Sequence, residues 1–160
     1  MGGVDPALQE LIARLELAPL PNEGGWFRQY YLSPERNAAG RPRASAIHFA
    51  VSPEGFSALH VLRTPETWTW RGGAPIELLL LAPGEPGRIV VLGPDAARGH
   101  VPAVTVPGGT WQGGRPLGSW AWADCRMEPA WDEAEFALGE RAALTRQWPD
   151  WAEAIARLTR

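Results

Sequence analysis

Two hydrophobic periodicities divide the chain. Near its start Leu8, Leu11, Ile12 and Leu15 recur at helical spacing, with Asp5 where a cap is wanted and Pro6 at a favoured first helical position. From residue 24 to about 127 the pattern becomes one of short β-rich runs: "WFRQYYL", "ASAIHFAV", "SALHVLR", "TWTWRG", "IELLLL", "RIVVLG", "AVTVP" and "SWAWADC". Glycine- and proline-rich turns separate them, and "SPERNAAGRPR" reads as a solvated hairpin loop. Short strands at this spacing predict an antiparallel sandwich or barrel rather than alternating strands and helices. The end turns helical again: "DEAEFALGERAALTRQW" predicts one helix, Pro149 ends it, and "DWAEAIARLTR" predicts a second with Asp150 and Glu153 as a capping box. No repeat or linker interrupts the pattern, so residues 1–160 read as a single domain around a barrel core at about 24–127.

Strand alternation gives the candidate chemistry a geometry. Ala58, His60 and Leu62 share one strand face, the chain turns near Thr64 and Pro65, and Glu66, Trp68 and Trp70 alternate along the returning strand. If His60 points into a barrel, Glu66 meets it there. Such a pair reads either as a proton-transfer dyad, with the carboxylate orienting and strengthening the imidazole, or as a buried polar pair satisfied by hydrogen bonds. Trp68 offers a flat surface for stacking on a ligand ring, with core packing as its alternative. Arg28, if aimed inward, is an anchor for a carboxylate or phosphate, or else a structural ion pair with an acid such as Glu23. Ser45 adds one hydrogen-bond donor from a neighbouring strand, and His100 reads as an exposed turn residue.

Composition removes several classes of function. The net charge of −3 and pI near 5.6 leave no positive field to hold nucleic acid or an anionic membrane. All 15 basic residues are arginine, so neither a Schiff-base lysine nor a phosphate-loop lysine is available. The single Cys125 cannot close an internal disulfide and reads as a small buried hydrophobe. The longest apolar run is far shorter than a membrane span, and the acidic start lacks the features of a secretion signal. A cytoplasmic protein is expected.

The order glycine, histidine, glutamate, glycine at Gly55, His60, Glu66 and Gly72 or Gly73 resembles the first cupin motif, with Leu62 at the place of its second histidine. "VPGGTWQ" resembles the second motif through Pro107 and Gly109, with Gln112 at the histidine place. Further segments, "NEGGWFRQYY", "SAIHFAV", "TPETWTWRGGAPIEL" and "AWDEAEFALGERAAL", resemble one branch, the uncharacterised cupin-five subfamily with an RmlC-like fold, over roughly residues 8–149. Within that resemblance His48 stands where tyrosine is common and Gly139 where aspartate is common.

What the resemblance implies is a mainly β double-stranded β-helix, a jelly roll, flanked by an N-terminal helix and C-terminal helices. It also implies a small-molecule ligand in the barrel and pairing as a homodimer. Metal-binding cupins use three histidines and a glutamate, so Leu62 and Gln112 disfavour a divalent metal; if one binds, His60, Glu66 and Gln112 are its ligands. The expected function is binding of a sugar-like or carboxylated metabolite, with isomerase, epimerase or lyase chemistry by His60 and Glu66 and with Arg28, Ser45, Trp68 and Gln112 as ligand contacts. The alternatives are a non-catalytic binding or sensory cupin and a metal-dependent enzyme.

Overall fold

The computed structural model describes residues 3–160. Helix α1 (Pro6–Leu15) begins as its sequence requires: the Asp5 side chain accepts from the Ala7 amide at 2.8 Å, and Pro6 follows it. Strands β1 (Ala18–Pro19), β2 (Trp26–Leu32), β3 (Ser45–Val51), β4 (Ser57–Val61), β5 (Glu66–Gly73) and β6 (Ile76–Leu81) follow. Strands β7 (Arg88–Leu92), β8 (Ala103–Val106), β9 (Trp111–Pro116) and β10 (Ala121–Met127) complete the barrel. They form two antiparallel sheets, in the order β1-β2-β3-β10-β5-β8 and, with one late strand added, β11-β4-β9-β6-β7, where β11 is Ala137–Leu138. The fold is a jelly roll with an N-terminal helix and C-terminal helices α2 (Arg141–Gln147) and α3 (Ala152–Arg157).

Hydrophobic alternation explains the layers. Phe49, Trp68, Leu78, Leu80, Ala123 and Cys125 point between the sheets and make the main core. Leu79 and Leu81, on the opposite face of β6, pack with Leu144, Trp148, Ile155 and Leu158. That is why "IELLLL" shows no polar alternation: both faces of β6 are covered. On the other side of the molecule Leu8 and Leu11 of α1 pack over Ala50, with Trp26, Trp120 and Trp122 around them. Cys125 is buried as expected, and burial pushes its thiol well up.

Four local expectations need correction. "DEAEFALGERAALTRQW" is not one helix: Asp132 caps a single 3₁₀ turn (Glu133–Glu135), Phe136 is extended, β11 joins the edge of β4, and α2 starts only at Arg141. The edge of β4 supplies backbone partners that an isolated helical turn would have to forgo. The capping box at Asp150 and Glu153 is not made, because the chain enters α3 from a 3₁₀ turn (Pro149–Trp151) rather than from an extended cap. Arg41 is not solvated: it donates to the Ala130 carbonyl and pairs with Glu135 at 2.6 Å. His100 is half-buried, its Nδ1 accepting from the Asp95 amide at 3.2 Å.

Candidate functional site

Strands β4 and β5, consecutive in the chain but in opposite sheets, and β9, which pairs with β4, set the site. His60 on β4 is the register partner of Gln112 on β9, and Glu66 opens β5. All three are buried, with His60 and Gln112 each 1% exposed and Glu66 7%. The His60 Nδ1 lies 2.7 Å from the Ala58 carbonyl oxygen. A carbonyl only accepts, so the neutral ring carries its hydrogen on Nδ1 and presents a lone pair at Nε2. Burial lowers the His60 pKa, against the opposing pull of Glu66 and of the Ala58 bond, which keeps the ring in that neutral form.

Glu23, which the sequence marks only as an ion-pair partner for Arg28, faces Nε2. Glu23 Oε1 lies 3.5 Å from it, and Glu23 Oε2 accepts from the Ser57 hydroxyl at 2.8 Å. Gly24 and Gly25, with φ of 103° and 75°, make the turn that carries Glu23 here. A Cβ on Gly24 would come within 2.4 Å of the Phe56 carbonyl oxygen, so only glycine fits. An acid followed by two glycines at the head of a strand was the available signal. Burial raises Glu23 to about 7, with the Ser57 bond and the Arg160 charge pulling the other way. Glu66 is likewise raised to about 7, chiefly by burial; His60 lowers it, Glu23 raises it, and hydrogen bonds from Trp68 and Gln112 lower it. The result is one neutral imidazole beside two carboxyl groups whose pKa values burial raises to about 7.

The structure therefore brings His60, Glu66, Gln112 and Trp68 together and adds Glu23. It corrects the role of Trp68: Nε1 donates to Gln112 Oε1 at 2.8 Å, the ring meets Phe49 edge-on at 5.6 Å, and the side chain is 1% exposed, packed in the core, so no face is left for a ligand ring. Arg28 points away from the barrel, half-exposed and paired with Glu16, because strand alternation sends Phe27 inward and its neighbour outward. Ser45 is buried and accepts from the Trp131 amide at 2.9 Å, so it fixes a connecting segment instead of facing the site. Open grooves of about 490 and 470 Å³ lie elsewhere, beside Trp131 and beside Phe56.

The donor set does not fit a metal. Gln112 Oε1 is taken by Trp68, Leu62 is a buried hydrocarbon, and His60, Glu23 and Glu66, though neighbours, do not form a group that could hold a metal ion; none is found among the described residues.

The model of the Cupin_5 family, described as cupin superfamily (DUF985), matches residues 9–139. The chain belongs to the Cupin_5 family. Among solved structures, this Cupin_5 protein is similar to a hypothetical protein from Leishmania major, at 27% identity and a TM-score of 0.85, covering 94% of this chain and 97% of that one. It is also similar to a protein from Shewanella oneidensis, at 26% identity and a TM-score of 0.89, covering 95% and 96%. Oxalate decarboxylase from Bacillus subtilis shares 11% identity at a TM-score of 0.57, over 89% of this chain and 37% of that enzyme, which shows a common fold alone. No curated protein matches the sequence. The surroundings of Gly139 and His48 are also defined. Gly139 donates its amide to the Leu59 carbonyl at 2.8 Å, where a Cβ would come within 2.6 Å of Leu144. His48 is on the outer sheet face, 3.0 Å from Asp124.

Proposed function

We propose that this Cupin_5 protein binds a small, uncharged, sugar-like metabolite in the barrel and moves a proton on it, as an isomerase, epimerase or lyase does. The carrying observation is the neutral His60, with its Nε2 lone pair 3.5 Å from Glu23 and with two carboxyl groups raised to about 7 around it. In that reading Nε2 takes a proton from a carbon next to a carbonyl, the electron pair moves into the enolate, and Glu66 stabilises the imidazolium. Glu23, protonated, gives its proton to the enolate. A carboxylated ligand is the weaker choice, because Arg28 faces outward and two acids line the interior. The complete pairing of buried side-chain polar atoms among the described residues favours a second reading, a binding module without turnover.

Exchange in heavy water separates the two: an enzyme washes solvent deuterium into a carbon of a bound aldose or ketose, and a binding module leaves it unlabelled. With a converted sugar, His60→Gln should lower turnover on the order of 10²-fold or more. Equal activity of wild type and variant removes His60 as the base.

We further infer a cytoplasmic homodimer. A cytoplasmic setting fits the single buried cysteine. The free edge of β2 fits self-pairing: β1 covers only Trp26 and Phe27, while Tyr30, Tyr31 and Leu32 beyond them are 40–49% exposed. Tyr31→Lys with Leu32→Lys should shift the mass seen by light scattering from dimer to monomer.

A further inference from the structure

A site whose three central side chains are 1–7% exposed admits a ligand only if something moves, and one segment stands over it. Residues 130–139 run from Pro42 and Ser45, which fasten their start, to the edge of β4, and pass over His60 on the way. The Phe136 ring stacks over the His60 ring, centroids 5.4 Å apart and planes within 24°. Beyond it Leu138 pairs with His60 and Ala137 with Val61, and the Gly139 amide donates to Leu59. Before it, Glu135 is held from two sides: Arg41 donates to Oε1 at 2.6 Å, and the Thr64 hydroxyl donates to Oε2 at 2.8 Å. Those contacts hold the Glu135 carboxyl below the usual carboxylate range, the Arg41 bond contributing most.

Little else fastens the segment. Trp131, Asp132, Glu133, Ala134, Ala137 and Leu138 are all exposed, which leaves Phe136 as its inward-packed large apolar side chain. Segments with few buried apolar contacts and short, exposed ladders open at low free energy. The foot of the segment is firmer: Arg41 also donates to the Ala130 carbonyl, and the Ala130 and Trp131 amides donate to Pro42 and Ser45.

From this we infer that residues 130–139 are a strap gating the barrel, with Phe136 as its plug and the Arg41–Glu135–Thr64 contacts as its latch. The inference rests on the reading of the barrel as a small-molecule site. Opening releases Glu135, breaks the β11 pairing and lifts Phe136 from His60, while Arg41 keeps its hold on Ala130. A ligand of the barrel then enters beside His60 Nε2, and closure removes water from the site.

Diethyl pyrocarbonate tests the gate without any ligand, since it acylates an unprotonated imidazole nitrogen that it can reach. Tandem mass spectrometry follows His48, His60 and His100 separately in the intact protein at neutral pH. In wild type His60 should be the slowest of the three. Glu135→Gln should speed His60 about tenfold, Phe136→Ala by at least as much, and Thr64→Val, which removes one hydroxyl donor, a few-fold, with His48 and His100 unchanged. Thr64→Val keeps the test usable if Glu135→Gln does not fold. An unchanged His60 rate in the folded variants, or equal acceleration of all three histidines, overturns the gate. A working gate combined with no deuterium exchange into any sugar would instead remove the catalytic reading and leave a closing binding module.

Discussion

The wall of this barrel carries a histidine–carboxylate set on each side, and they differ in how charge is balanced. Outside, His48 Nδ1 meets Asp124 Oδ1 at 3.0 Å, and Arg71 grips Asp124 Oδ2 at 2.6 and 2.8 Å. Tyr30 stacks on that imidazole at 4.1 Å and Trp122 meets it edge-on. Inside, His60 serves two acids, and the guanidinium whose charge acts on Glu23, that of Arg160, is engaged by the Glu23, Glu54 and Phe56 carbonyls. The outer acid therefore has a permanent countercharge and water nearby. The inner acids have neither in full, so protonation is what relieves their burial. The same residue types make a surface network outside the barrel and, inside it, a neutral imidazole beside two acids whose pKa values burial raises.

The inner set depends on Trp68, and its removal should give the largest effect. Trp68→Ala takes a fully buried ring from Phe49 and leaves Gln112 Oε1 without its donor, for a loss of about 3–5 kcal/mol in urea unfolding. Tyr30→Ala on the outer face should cost less than about 1 kcal/mol, as its ring is 48% exposed. Equal losses would erase the contrast between the faces.

Stability against pH gives the next largest effect. Glu23 and Glu66 are raised from 4.5 to about 7, so between those values the folded chain keeps protons that the unfolded chain releases. Their contribution is full below about 4.5 and declines as pH rises through 7. His60, lowered from 6.5, acts oppositely and costs stability as pH falls below its ordinary value. Glu66→Gln removes one carboxyl titration and should narrow the loss of stability between about pH 5 and about pH 8 by roughly 2–3 kcal/mol. Denaturant titrations at the two pH values check it, and an unchanged or steeper loss in the variant would show that Glu66 is ionised throughout.

Period-two alternation made much of the architecture and part of the site legible. It aligned His60 with Glu66 across a turn, and the motif resemblance added Gln112. The same parity, applied to "WFRQYYL", places Arg28 opposite in sense to the core residue Phe27, so its outward direction was already legible. Glu23 was harder, because its direction comes from two positive-φ glycines and no strand rule reaches through such a turn. The segment around Phe136 failed for a different reason. Its apolar spacing fits a helix, and only the distant edge of β4, about 75 positions earlier in the chain, selects the extended form. Local pattern reports which residues want burial, whereas tertiary partners decide what those residues cover.

The smallest effect belongs to the outer pair, and a double-mutant cycle isolates it. His48→Ala and Asp124→Asn each disturb more than their mutual bond: the first removes the stacking partner of Tyr30, and the second weakens the grip of Arg71. Those losses occur in both legs of the cycle and cancel to the extent that they are independent. What remains is the His48–Asp124 coupling, whose side chains keep 22% and 12% of their surface in solvent. Water and the shared arginine both dilute it, so the coupling should be about 1 kcal/mol at low salt. It should weaken as salt is raised, because partly exposed charges are screened over roughly 10 Å at about 0.1 M ionic strength. A coupling above about 3 kcal/mol that ignores salt would place the outer pair in the energetic regime of a buried pair, and the two faces would then differ in countercharge alone.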